Sequence, residues 1–157
     1  MIAAAEDCPG TITQADFDAD QFSGTWYALY QPPEMYSAFH HVVIDFGGSP
    51  DYEATLNFVS AQDGEEKSYD GTWKPNTPGY FQTDMPELPQ FDGPYRVVAT
   101  DYECYAVMHG CPQEAPVEDL IWIQFRDDQP SEDCVNSAKD AMTAAQLDFS
   151  ALQLDEE

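Results

Sequence analysis

Positive charge is almost absent from this sequence: Lys and Arg number five against thirty Asp and Glu, a formal net charge of −25. A surface of that sign repels phosphate backbones and anionic headgroups, which disfavours nucleic acid and membrane surfaces as partners. Also missing is any run of about 18 apolar residues, the length a membrane-crossing helix needs, so a soluble protein without membrane insertion is expected. There is no Cys-x-x-Cys and no Cys/His spacing of the kind that holds zinc, so no metal site is expected. No internal repeat and no linker marks a second domain. The start, Met1-Ile2-Ala3-Ala4-Ala5-Glu6-Asp7-Cys8, has neither a basic nor an apolar stretch. Its small residues resemble what remains beside a signal cleavage site, and the chain reads as a mature secreted protein.

What the sequence does have is aromatic mass: 43% of its 157 residues are apolar and 13% aromatic, enough for one real core and against wholesale disorder. Twelve Pro and nine Gly punctuate short aromatic and β-branched runs at spacings of about ten residues. Strands are expected over 23–31, 39–46, 52–61, 68–74, 80–85, 95–100, 104–111 and 120–126. Eight in succession on short turns predict an all-β, up-and-down antiparallel meander, which hides its edges best by closing into an eight-stranded barrel. The pattern then changes once. Residues 131–146 contain no Gly or Pro, and Val135, Ala138, Met142 and Ala145 recur at helical spacing. Pro130 and Ser131 suit the start of one C-terminal helix packed outside the barrel, with Glu132 and Asp133 in its first turn. A short last strand is expected over 147–154. The domain reading is therefore single, 1–157: an arm at 1–20, a barrel at 22–126, the helix, and a last strand with tail at 147–157.

Three local sequences resemble the lipocalin family. Phe22-Ser23-Gly24-Thr25-Trp26-Tyr27 carries the Gly-x-Trp of the first lipocalin strand. Thr100-Asp101-Tyr102 resembles the second block, and Tyr105-Ala106-Val107-Met108-His109-Gly110-Cys111 is similar to apolipoprotein D and the invertebrate pigment lipocalins, bilin-binding and crustacyanin types. Ile121-Trp122-Ile123-Gln124-Phe125-Arg126 resembles the third, with its Arg just before the helix. On this reading Trp26 plugs the closed end, Gly24 lets the backbone approach, and Arg126 lies over the indole. Thr100 and Asp101 cap backbone donors in a nearby turn. These five residues are structural, none catalytic.

Four cysteines in a small, apparently secreted domain favour two disulfides. The pigment lipocalins join an N-terminal Cys-Pro to the Cys ending the seventh strand, which implies Cys8–Cys111. The remainder leaves Cys104–Cys134, or else Cys104 as a free thiol facing the cavity.

Alternation anchored on Trp26 puts Ala28 and Tyr30 on the inward face. The seventh and eighth strands offer Tyr102, Ala106 and Met108, then Leu120, Trp122 and Gln124. Phe39, His41, Phe58, Tyr69, Trp73, Phe81 and Tyr95 complete the candidate ligand-binding set, although any one of these aromatics would equally fill a packed core. Aromatic walls with a few hydroxyls suit a conjugated or ring-shaped hydrophobe: a carotenoid, bilin, retinoid, steroid or fatty acid. No other cofactor is required. His40 and His41 point to opposite faces and, with His109, are candidates for pH-dependent release. Acidic pairs such as Glu65-Glu66 and Asp127-Asp128 read as solvated surface.

The expected function is an extracellular, non-enzymatic carrier of a small hydrophobic molecule; the resemblance implies a pigment, carotenoid or bilin. Two alternatives stay open. One is a lipocalin-type isomerase or de-epoxidase using an inward Cys104 thiol. The other is sequestration of a cationic amine by an inward carboxylate, with Glu103 and Asp45 as candidates. Assembly into a homodimer or higher oligomer is also open.

Overall fold

The short alternating runs form eight antiparallel strands that close on themselves in the computed structural model, which describes residues 17–77, 80–111 and 120–154. They are β1 (Gly24–Gln31), β2 (Phe39–Phe46), β3 (Glu53–Ser60), β4 (Glu66–Thr77), β5 (Tyr80–Asp84), β6 (Gly93–Thr100), β7 (Tyr105–Gly110) and β8 (Leu120–Phe125). Each pairs with its successor, and β1 completes the ring by pairing with both β2 and β8. Closure leaves no long unpaired edge, the physical reason a meander of this length becomes a barrel. A two-residue strand, β9 (Gln153–Leu154), adds to β1 outside the ring.

Side chains alternate between two cores. One fills the barrel and holds Phe22, Trp26, Phe46, Trp73, Val97 and Met108 among others. The second lies between the outer wall and a helix, with Val98, Val107, Ile123 and Phe125 on the sheet side. The two cores explain why β8, Leu-Ile-Trp-Ile-Gln-Phe, lacks a polar face: Leu120 and Trp122 point in, while Ile123 and Phe125 lie under the helix. That helix, α2 (Glu132–Ala144), follows a one-turn α1 (Ala19–Phe22) in chain order. Ser131 caps α2 by accepting the Cys134 N–H at 3.2 Å, and Glu132 and Asp133 occupy its first turn. Cys134, Ala138 and Met142, spaced by four, form its buried face. Beyond its end Gln146 adopts φ +63° and the Leu147 N–H reaches the Met142 carbonyl at 2.8 Å, satisfying carbonyls that the helix leaves open.

Several boundaries differ from expectation. β4 runs longer at both ends than 68–74. The seventh strand starts at Tyr105 because Asp101 gathers the N–H groups of Glu103, Cys104 and Tyr105 onto one carboxylate oxygen at 3.2, 2.8 and 3.1 Å. Cys104 therefore sits in a turn, where strand alternation does not govern it. It is disulfide-bonded to Cys134, with Cα atoms 5.9 Å apart, and packs on the helix-side core. The expected Cys104–Cys134 bridge is thus present and ties the turn to the helix start, and the alternative, a free inward thiol, is not what the structure holds. Cys111 is also disulfide-bonded; its expected partner, Cys8, lies outside the described residues, as does most of the expected arm. Instead of a strand through 147–154, a 3-10 turn at Phe149–Ala151, capped by the Asp148 carboxylate, precedes β9. Two further 3-10 turns, Pro33–Ser37 and Pro89–Phe91, had no signal in the periodicity beyond their prolines.

Candidate functional site

One end of the barrel is packed shut. Trp26, fully buried, donates from its indole to the Phe22 carbonyl at 2.8 Å and stacks on the Phe22 ring at 4.9 Å. Arg126 lies over the indole with its guanidinium carbon 3.9 Å from the ring centre. Its N–H groups donate to the carbonyls of Tyr102 (2.9 Å), Thr25 (3.3 Å), Gln21 (3.0 Å) and Phe22 (3.2 Å). Burial lowers the guanidinium pKa, with Asp101 opposing the shift. Gly24 has φ +116°, and a Cβ there would come within 2.8 Å of an Arg126 nitrogen. Thr100 donates to the Tyr105 carbonyl at 2.6 Å and accepts the Tyr102 N–H at 3.0 Å. The five residues read from sequence as scaffold thus all meet here.

Above this plug lies a cavity of about 120 Å³. The 3-10 turns roof the other end, placing Met35 and Phe91 against the cavity. Among the described residues its wall contains no charged side chain. Most of its polar groups are already used: the Tyr95 hydroxyl donates to the Phe91 carbonyl at 2.7 Å, Trp122 Nε1 to Gln124 Oε1 at 2.8 Å, and Trp73 Nε1 to the Gly47 carbonyl at 2.8 Å. Burial first, and the nearby Asp92 carboxylate second, push the Tyr95 hydroxyl far above its ordinary pKa, so it stays neutral. Gly110, opposite Tyr95 in the β6–β7 ladder, leaves the space its ring fills; a Cβ there would collide with that ring.

Of the residues expected to face inward for a ligand, Phe39, Trp73, Phe81, Tyr95 and Trp122 line the cavity. Phe58 and Met108 belong to the barrel core, with Tyr69 packed against it, but none of the three lines the cavity. Gln124 is fully buried behind Trp122. Three expectations are corrected. Tyr30 packs on the helix side, its ring 5.1 Å from Phe149 and 6.1 Å from Phe125, because a bulge between Ala28 and Tyr30 shifts the alternation. His41 is exposed with φ +52°, since the ladder also slips between His40 and Val43, which turns Val42 inward in its place. Tyr102 lies in the β6–β7 turn at the closed end, its hydroxyl accepting the Asp18 N–H at 2.9 Å. The same first bulge brings Gln31 to the cavity, a residue that strict alternation places outside. Met35 and Phe91 were missed because they sit on turns, where no period applies.

The residues named for the alternative chemistries lie away from the cavity. Asp45 alternates with inward Ile44 and Phe46 and accepts the Thr25 hydroxyl outside, and Glu103 is exposed in the closed-end turn. The Cys104 sulfur is in its bridge to Cys134. None of the three histidines lines the cavity. Among the described residues no group of three or more His, Cys, Asp or Glu is placed to hold a metal, and no helix is long and apolar enough to cross a membrane.

No family profile matches the sequence. Apolipoprotein D of Cavia porcellus is 26% identical over 158 residues, covering 94% of this chain and 80% of that protein. Insecticyanin from the tobacco hornworm Manduca sexta superposes with a TM-score of 0.78 at 17% identity, covering 96% of this chain and 86% of that one. The cockroach allergen Per a 4 gives 0.77 at 16% identity, covering 96% and 93%.

Proposed function

We propose that this chain, whose fold is that of the lipocalins, is an extracellular, non-catalytic carrier that holds a small hydrophobic molecule inside its barrel. The observation that carries this reading is the apolar, uncharged cavity above a plug of Trp26 and Arg126. Trp73, Phe81, Tyr95 and Trp122 meet on its wall, with ring centres of successive pairs 5.3 to 5.9 Å apart. Such a surface gains by covering an apolar or conjugated body and offers nothing to a free charge. The disulfides suit an oxidising compartment. Within the hydrophobic class a pigment of the carotenoid or bilin kind is favoured, on the resemblance of the Thr100-Asp101-Tyr102 segment and the Cys8-Pro9 arm to the pigment lipocalins.

Protein purified from its native source, examined by visible spectroscopy and by mass spectrometry of extracted small molecules, tests both levels. An absorption band beyond the aromatic region with a matching organic mass is expected. A colourless protein carrying an apolar compound would overturn the pigment assignment and keep the carrier. A recombinant protein that takes up no hydrophobic dye would overturn the carrier itself.

A further inference from the structure

Among the described residues the cavity wall holds one buried donor with nothing to donate to. Gln31 is 6% exposed, lines the cavity, and its Nε2 has no hydrogen-bond partner. Its backbone is fixed between the barrel and β9, where it pairs with Gln153, and the bulge after Ala28 directs its side chain inward. Burying an amide N–H without a partner is unfavourable, and such groups are rare in folded proteins. The other polar groups of the wall are accounted for: Tyr95, Trp122 and Trp73 donate within the protein, and Thr83 is only half-buried. Gln124 Nε2 is also unpartnered, but Gln124 does not line the cavity.

We propose that Gln31 determines specificity by donating a hydrogen bond from Nε2 to the carbonyl oxygen of an uncharged, otherwise apolar ligand. This rests on the carrier reading above and narrows it. An anionic ligand is disfavoured twice. It would approach against a net charge of −25, and inside it would meet no cationic side chain, only neutral amide and hydroxyl groups. A cationic ligand finds no carboxylate among the described residues of the wall. A ketone, aldehyde or ester satisfies the amide without bringing a charge into the barrel. Keto-bearing hydrophobes are therefore preferred over molecules that must bury a carboxylate.

Displacement of bound Nile red by three chains of matched length, 2-undecanone, undecane and undecanoate, tests the assignment in the wild type and in Gln31→Met, which keeps volume and removes the amide. The substitution is expected to weaken 2-undecanone by about fivefold to tenfold, the loss of one buried hydrogen bond, and to leave undecane unchanged. Undecanoate is expected to bind the wild type more weakly than 2-undecanone at low and at raised salt. Parallel changes for ketone and hydrocarbon, or tighter binding of undecanoate, would overturn the proposal. A second measurement needs no variant: the infrared carbonyl band of 2-undecanone bound to the wild type should lie below its position in hydrocarbon solvent. An unshifted band overturns the role of Gln31 while leaving the carrier intact. Failure of the wild type to take up Nile red overturns the carrier reading and this one with it.

Discussion

At the closed end of the barrel one guanidinium reaches four backbone carbonyls and covers a buried indole, and Asp101 gathers three backbone N–H groups in the adjoining turn. At the roofed end Met35 and Phe91 cover the cavity from 3-10 turns, and a glutamine amide is left unpaired. The first region spends polar groups on backbone atoms in many directions, so one geometry satisfies them all. The second meets the cavity with apolar side chains, whose contacts are non-directional, and although the Tyr95 hydroxyl holds the Phe91 carbonyl at 2.7 Å, the amide of Gln31 is left unused. Unused hydrogen-bonding capacity is what a ligand's polar atom can meet, and it is found only at the second end among the residues compared.

This contrast predicts that stability follows the plug and ligand affinity follows the cavity wall. Trp26→Ala empties the centre of the plug and is expected to cost about 3–5 kcal/mol by chemical denaturation. A loss below about 1 kcal/mol would break the contrast, since that is typical of surface positions. Removing the Cys104–Cys134 bridge with the double substitution to Ser should cost about 2–4 kcal/mol and leave Nile red affinity of the folded protein unchanged, because the bridge ties a closed-end turn to α2, away from the cavity. Gly24→Ala should cost about 1–3 kcal/mol, from its positive φ and its encounter with Arg126, with thermal unfolding as the measure. Met35→Leu, on the roof, should change stability by less than about 1.5 kcal/mol while altering the rate of dye release, read by stopped-flow fluorescence.

The smallest effect near neutral pH belongs to the Tyr95 hydroxyl, whose pKa is raised in the folded state chiefly by burial. An unfolded tyrosine ionises at about pH 10, so the folded state keeps this contribution below that pH and loses it as pH rises further. Denaturation midpoints of the wild type and Tyr95→Phe should therefore run parallel from neutrality to mild alkali, with the wild type falling faster above the unfolded pKa. Parallel curves throughout would show that Tyr95 ionises freely in the folded barrel, contradicting its burial.

Much of the scaffold was legible because its signals are local. Gly24-Thr25-Trp26 and the Arg126 that follows β8 are recognised through the short motifs that resemble the lipocalins, and Thr100-Asp101 makes its hydrogen bonds within five positions. Ser131 followed by Glu132 and Asp133 announces α2 for the same reason. The wall of the cavity was legible where strands run without interruption, as at Trp73, Phe81 and Trp122. It was not legible past the slips in β1 and β2. There, a displacement in the ladder shifts the alternation, so Tyr30 and His41 trade places with Gln31 and Val42.

The sequence by itself determined the eight-strand meander, the single helix and the electronegative exterior, since periodicity, turn chemistry and net charge are properties of neighbouring residues or of composition, and its resemblance to the lipocalin motifs implied the residues of the plug. Only the tertiary structure decided which polar group faces the cavity. A bulge is settled by how two strands fit around a closed ring and not by the residues within either one. It is that fit which brings the unpaired amide of Gln31 to the cavity and places the carboxylate of Asp45 away from it.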